Sequence, residues 1–136
     1  MNRGFMLHRL SEGDSEAVKW ILEMACIYVS KRGEATFDTC CKLPAAKSAR
    51  QRALRDYYIA QAAAILGDGV PIAQTALHSA FAGFLAERWP NWKHLRFAPS
   101  EASPADRAMF NARKCSDIPD TPQGLGKIVR KVLETA

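Results

Sequence analysis

Apolar positions along this chain recur mostly at intervals of three and four, the spacing of one face of an α-helix. Residues 44–89 organise the rest, as two long helices joined by Gly67-Asp68-Gly69-Val70. Pro44 suits a first helical turn, where its missing N–H costs nothing. The alanines that follow favour helix, and Leu54, Tyr58, Ala62 and Ile65 share one face. Gly67 is placed to end the helix in the left-handed conformation. The second helix restarts at Pro71 and runs to Trp89. There Ile72, Ala73, Ala76, Leu77, Ala80, Phe81 and Phe84 cover roughly half the circumference. An arc this wide predicts a core helix with Leu77, Phe81 and Phe84 buried. Its polar edge carries Gln74, Thr75, His78 and Ser79. A helix-turn-helix would aim Gln74, Thr75 and His78 at bases. The first two turns of that helix hold no Lys or Arg, however, which favours a packed helical hairpin.

The flanks follow the same logic. Asp14 or Ser15 caps a helix. Its stripe Val18, Ile21, Leu22, Ala25 and Val29 and a second stripe of Trp20, Met24 and Ile27 predict burial on more than one side. Lys31 and Arg32 suit its end, and Gly33 can terminate it. Ser103 caps a helix from Pro104, and Thr121-Pro122 opens the last one, striped by Leu125, Ile128, Val129, Val132 and Leu133. Gly124 and Gly126 weaken its first turns and predict fraying. Residues 34–43 alternate with a period near two, and residues 93–98 are their one candidate partner, so a minor two-stranded extended piece is allowed. The expected fold is all-α: a single-domain bundle of about five helices, near 14–31, 44–66, 71–89, 104–114 and 122–135.

Charge adds one feature to this picture. The chain has 136 residues and a net charge of +5. Lys42, Lys47, Arg50, Arg52 and Arg55 fall within residues 42–55 with no acid among them, so this one segment accounts for the whole excess. Clustered positive charge favours a polyanion or an acidic protein surface. Further on, Arg88, Trp92, Lys93 and Arg96 interleave cations with the aromatics Trp89 and Phe97, a composition that single-stranded nucleic acid can use for phosphate contact and base stacking. The opposing expectation is that Trp89, Trp92 and Phe97 close one end of the core.

No catalytic constellation is legible. Cys26, Cys40, Cys41 and Cys115 form no Cys-x-x-Cys pair, and with His8, His78 and His94 they are too scattered for a metal site. Free thiols, no cofactor and no metal are expected. The glycine pairs lack the signature of a phosphate-binding loop. No apolar run is long enough to cross a bilayer, and the first fourteen residues are too interrupted for a secretory signal, so a cytoplasmic protein without a membrane partner is expected. The expected function is non-enzymatic binding of nucleic acid or a nucleoprotein complex through Lys47, Arg50, Arg52 and Arg55, with Lys42, Arg88, Trp92, Lys93 and Arg96 as further contacts. The alternative is a protein-binding module or inhibitor, for example one encoded by a mobile element, docking on an acidic partner. An enzyme of unrecognised type ranks below both, and a small-molecule substrate is not expected.

Overall fold

Capping side chains set where several of the helices begin. The computed structural model describes residues 3–32, 34–41 and 46–135. Over these the chain is all-helical: α1 (Arg3–Ser11), α2 (Ser15–Ser30), α3 (Phe37–Cys40), α4 (Lys47–Leu66), α5 (Gln74–Glu87), α6 (Trp89–Trp92), α7 (Pro104–Cys115) and α8 (Pro122–Thr135). Asp14 accepts from the Ala17 amide at 3.0 Å, Ser103 from Asp106 at 3.1 Å, and Thr121 from Gly124 at 3.1 Å. Each side-chain oxygen satisfies an amide that the first turn leaves without a helical partner. The Ala17 amide, and then the Arg9 guanidinium, hold the Asp14 carboxyl below its ordinary value. The expected start at Pro44 lies outside the described residues, as do Lys42 and Gly33.

The chain divides into two compact units, Met1–Ala53 and Leu54–Ala136. In the first, α1 packs on α2 and α2 on α3. Among the described residues its buried side chains are few and modest in size: Met6, Ala17, Met24, Cys40 and Cys41. So small a unit cannot cover a helix on two sides. Accordingly α2 buries only the face of Ala17 and Met24, and the expected burial on more than one side is not found. Val18, Leu22 and Val29 stand 41%, 61% and 71% exposed.

The second unit has the larger core. Leu77, Phe81 and Phe84 of α5 are buried as expected, beside Ile59, Ala62 and Ala63 of α4, Met109 and Phe110 of α7, and Leu125 and Val129 of α8. The buried arc is narrower than its pattern implied, since Ala73 and Ala76 are exposed. α5 packs most extensively on α8, and Gly126 permits it. A Cβ there would overlap the Gln74 side-chain amide and lie 3.0 Å from Gln74 Cβ. The glycines of α8 therefore serve close approach, and the first turns, which Gly124 and Gly126 weaken, are capped by Thr121 and anchored by the fully buried Leu125. Gly126→Ala should cost about 1–3 kcal/mol of stability in denaturant melts, the usual range for overpacking. A change below half a kilocalorie or so would mean that α5 and α8 can separate freely.

Three further expectations are corrected. Among the described residues there is no strand. At 34–41, the described part of that segment, Thr36 instead caps the short helix α3, its hydroxyl accepting from the Thr39 amide at 3.3 Å, and at 93–98 the Leu95 amide turns back to the Trp92 carbonyl at 2.9 Å. An isolated strand would leave its backbone groups unpaired, whereas a helical turn satisfies them locally. Secondly, α5 begins at Gln74, because the Ile72 amide bonds the Ala63 carbonyl at 3.2 Å and holds the preceding residues extended. Thirdly, the described left-handed residues past the helix ends are Gly13 (φ 79°), Arg32 (φ 51°), Asp68 (φ 54°) and Gly69 (φ 98°), and Gly67 is not among them. Gly67 is needed for a different reason: a Cβ would overlap the Val70 carbonyl oxygen.

Candidate nucleic-acid interface

The basic residues expected to act together have different fates. In the first unit Lys47 and Arg52 are exposed on the opening turns of α4 and Arg50 is half-buried. At about 100° per residue, Arg52 points well away from Lys47 and Arg50. In the second unit Arg55 is held inside the fold. Its side chain is 14% exposed, bonds the Asp56 carboxylate at 2.8 Å and donates to the Asp117 carbonyl at 2.9 Å. It ties α4 to the loop between α7 and α8. His78 does the same from α5, its Nε2–H donating to the Asp120 carbonyl at 2.9 Å. With Gln74 against Gly126 and His78 on this loop, two of the three side chains that a helix-turn-helix would aim at bases face α8 and the segment before it.

The segment after α5 is built on an aromatic cluster. Trp92 meets Phe84 (centroids 5.9 Å) and Phe110 (6.5 Å), and Trp89 meets Phe110 at 5.9 Å. Both tryptophans are half-buried. Trp92 thus anchors α6 to the core, and Arg88 beside it is paired with Asp106 at 3.1 Å. The outer side of the cluster carries cations. The Arg113 guanidinium lies 4.9 Å from the centre of the Trp89 ring. Lys114 Nζ lies 5.6 Å from that of Phe110 and donates to the Lys93 carbonyl at 2.8 Å. That bond brings the exposed Lys93 and Lys114 together although they are far apart in sequence. Arg113 has an acidic neighbour in Asp117 at 3.3 Å, itself 91% exposed and therefore a weak partner.

Phe97 departs from the expectation that it closes the core. It is 72% exposed, with the Arg96 guanidinium 5.4 Å from its ring centre. Around α6 and α7 this unit therefore carries Lys114 bonded to the Lys93 carbonyl, Arg113 over the Trp89 ring, and Arg96 over the exposed Phe97. Arg113, Lys114 and the exposure of Phe97 escaped the sequence reading. Only the basic pair at the end of α7 hinted at them.

Two other places could hold chemistry. A cleft of about 290 Å³ is lined by Pro71, Ile72, Gln74, Leu77, Gly126, Val129, Arg130 and Leu133, a mainly apolar set whose polar members are the Gln74 amide and the Arg130 guanidinium, without a carboxylate, imidazole, thiol or hydroxyl. Among the cysteines, Cys26 is exposed, Cys40 and Cys41 are buried, and burial pushes the Cys115 thiol up, away from the reactive thiolate. Among the described residues no group of three His, Cys, Asp or Glu could hold a metal ion, and no helix is long and apolar enough to cross a membrane. No family model matches the chain, and no curated protein or solved structure shows significant similarity to it.

Proposed function

We propose that the chain is a non-enzymatic binder of nucleic acid, acting through the α6–α7 region of the second unit. The observation that carries this reading is the 72% exposure of Phe97 beneath the Arg96 guanidinium, four residues after the exposed Lys93 whose carbonyl takes the Lys114 ammonium. An exposed ring costs solvation unless a flat partner covers it, and bases do so at about 1–3 kcal/mol each. Cations at the ring edge supply the phosphate contact that stacking alone lacks. Arg55 is withdrawn from the binding set, because its guanidinium is engaged within the fold.

Fluorescence anisotropy with labelled single-stranded and duplex oligonucleotides tests this. Binding should fall steeply between about 50 and 200 mM salt, as expected for several phosphate contacts. Lys93→Glu with Arg96→Glu should weaken it by about 100-fold at the lower salt while leaving the melt unchanged, since exposed substitutions cost little stability. Phe97→Ala should weaken single-stranded binding more than duplex binding. A folded double variant that binds like the parent would remove the basis of this reading. Silence toward every oligonucleotide, with a protein retained in a pull-down, would favour the protein-binding module instead.

A further inference from the structure

The cleft of about 290 Å³ lies between α8 and the start of α5, within the second unit. Gly126, Val129, Arg130 and Leu133 contribute to it from α8, at the three- and four-residue spacings that share one side of a helix. Gln74 and Leu77 contribute from α5, and Pro71 and Ile72 from the extended segment that the Ala63 carbonyl holds. Leu77 and Val129 are buried and form the floor, whereas Leu133 is 54% exposed at the rim. The polar liners are unused. Neither the Gln74 side-chain amide nor the Arg130 guanidinium has a hydrogen bond or ion pair to another described residue, although Glu134 follows Arg130 by one turn. Arg55, Arg88 and Arg113 of the same unit each meet a carboxylate.

We infer that this cleft binds a small amphipathic monocarboxylate, its hydrocarbon tail on Ile72, Leu77, Val129 and Leu133 and its head group on Arg130. Size argues for a small ligand. A stable protein partner engages about 20–30 residues a side, and eight residues line this cleft, whose volume suits the smallest ligand pockets, near about 300 Å³. Charge selects the head group. A guanidinium takes a carboxylate in a two-pronged, charge-assisted contact, and no carboxylate of the cleft competes for it. Lys127 and Lys131 on the same helix add to the positive field, and the Gln74 amide offers a neutral donor. The floor selects the tail, since an inorganic anion would leave Leu77 and Val129 without cover. The site shares no residue with the α6–α7 region and does not depend on its reading.

Isothermal titration calorimetry of the whole chain with octanoate, kept below its micellar range, tests this. Octanoate should bind saturably at one site per chain. Hexanoate, two methylenes shorter, should bind about 15-fold more weakly. 1-Octanol carries the same tail without the charge and should bind about 10-fold more weakly than octanoate. Arg130→Gln should weaken octanoate by about 10-fold and leave octanol unchanged, whereas Leu133→Ser should weaken both. Both positions are exposed, so the melting curves should match the parent. Amide NMR shifts on adding octanoate should concentrate at residues 71–77 and 126–133. Lys93→Glu with Arg96→Glu should leave octanoate binding intact, which keeps this result apart from the fate of the α6–α7 reading. Absence of saturable binding overturns the proposal. So does octanol binding as tightly as octanoate, or parent-like binding by a folded Arg130→Gln variant. A dimer or a bound protein that Leu133→Ser releases would likewise overturn it and give the cleft to a macromolecule.

Discussion

Phe81→Ala should destabilise the second unit by about 3–5 kcal/mol, the range for removing a fully packed phenylalanine. Phe81 is 1% exposed and sits among Ile59, Leu77, Phe84, Phe110 and Leu125. These neighbours come from α4, α5, α7 and α8, each held by its own connections. The space left by the ring therefore cannot close by moving one helix, which places the expected loss toward the upper end. Urea unfolding followed by far-UV circular dichroism reads it directly. A loss of only a kilocalorie would show that the helices collapse inward and that the core is far softer than its packing indicates.

Gly67→Ala should cost about 3 kcal/mol, a large effect for one methyl group. The loss does not arise from a left-handed backbone, since Gly67 is not in that region. The Val70 carbonyl occupies the space a Cβ would need, and backbone cannot swing aside as a long side chain can. Relief would require reopening the turn that holds the Gly69 amide on the Ala64 carbonyl at 2.8 Å and the Ile72 amide on the Ala63 carbonyl at 3.2 Å. Those bonds close α4 and set the entry to α5. Gly69→Ala would be strained for the separate reason of φ 98°, although no atom lies within 4 Å of its added Cβ. If Gly67→Ala melts with the parent, residues 67–72 rearrange cheaply and the turn does not position α5.

The helices with a strong local signal were legible in the sequence. Asp14, Ser103 and Thr121 mark their starts by chemistry that acts within three residues, and the apolar periodicity of α5 and α8 extends over enough turns to be unambiguous. The short elements were not. At 34–43 an alternating pattern imitates a strand, and only the Thr36 hydroxyl reaching the Thr39 amide reveals α3. The basic residues show where sequence loses its grip. Arg55 and Arg52 look alike in a charge count, but one is fixed by Asp56 and the Asp117 carbonyl, a contact 62 residues away, and the other faces solvent. Nor does composition distinguish Trp92, wedged against Phe84 and Phe110, from Phe97, left outside. That difference depends on where α7 returns, which is a tertiary fact.

The contact of Gly126 with Gln74 also governs the order of events during synthesis. α5 leaves the ribosome well before α8, the helix it packs on most extensively. Until residues 122–135 have been made, Leu77 and Phe81 lack part of their cover, and α5 is a nascent segment with its apolar side partly open. Chains generally fold as they emerge, but a unit closed by its last helix must wait. The second unit is therefore open to chaperones and proteases at α5 until α8 has emerged to cover Leu77 and Phe81.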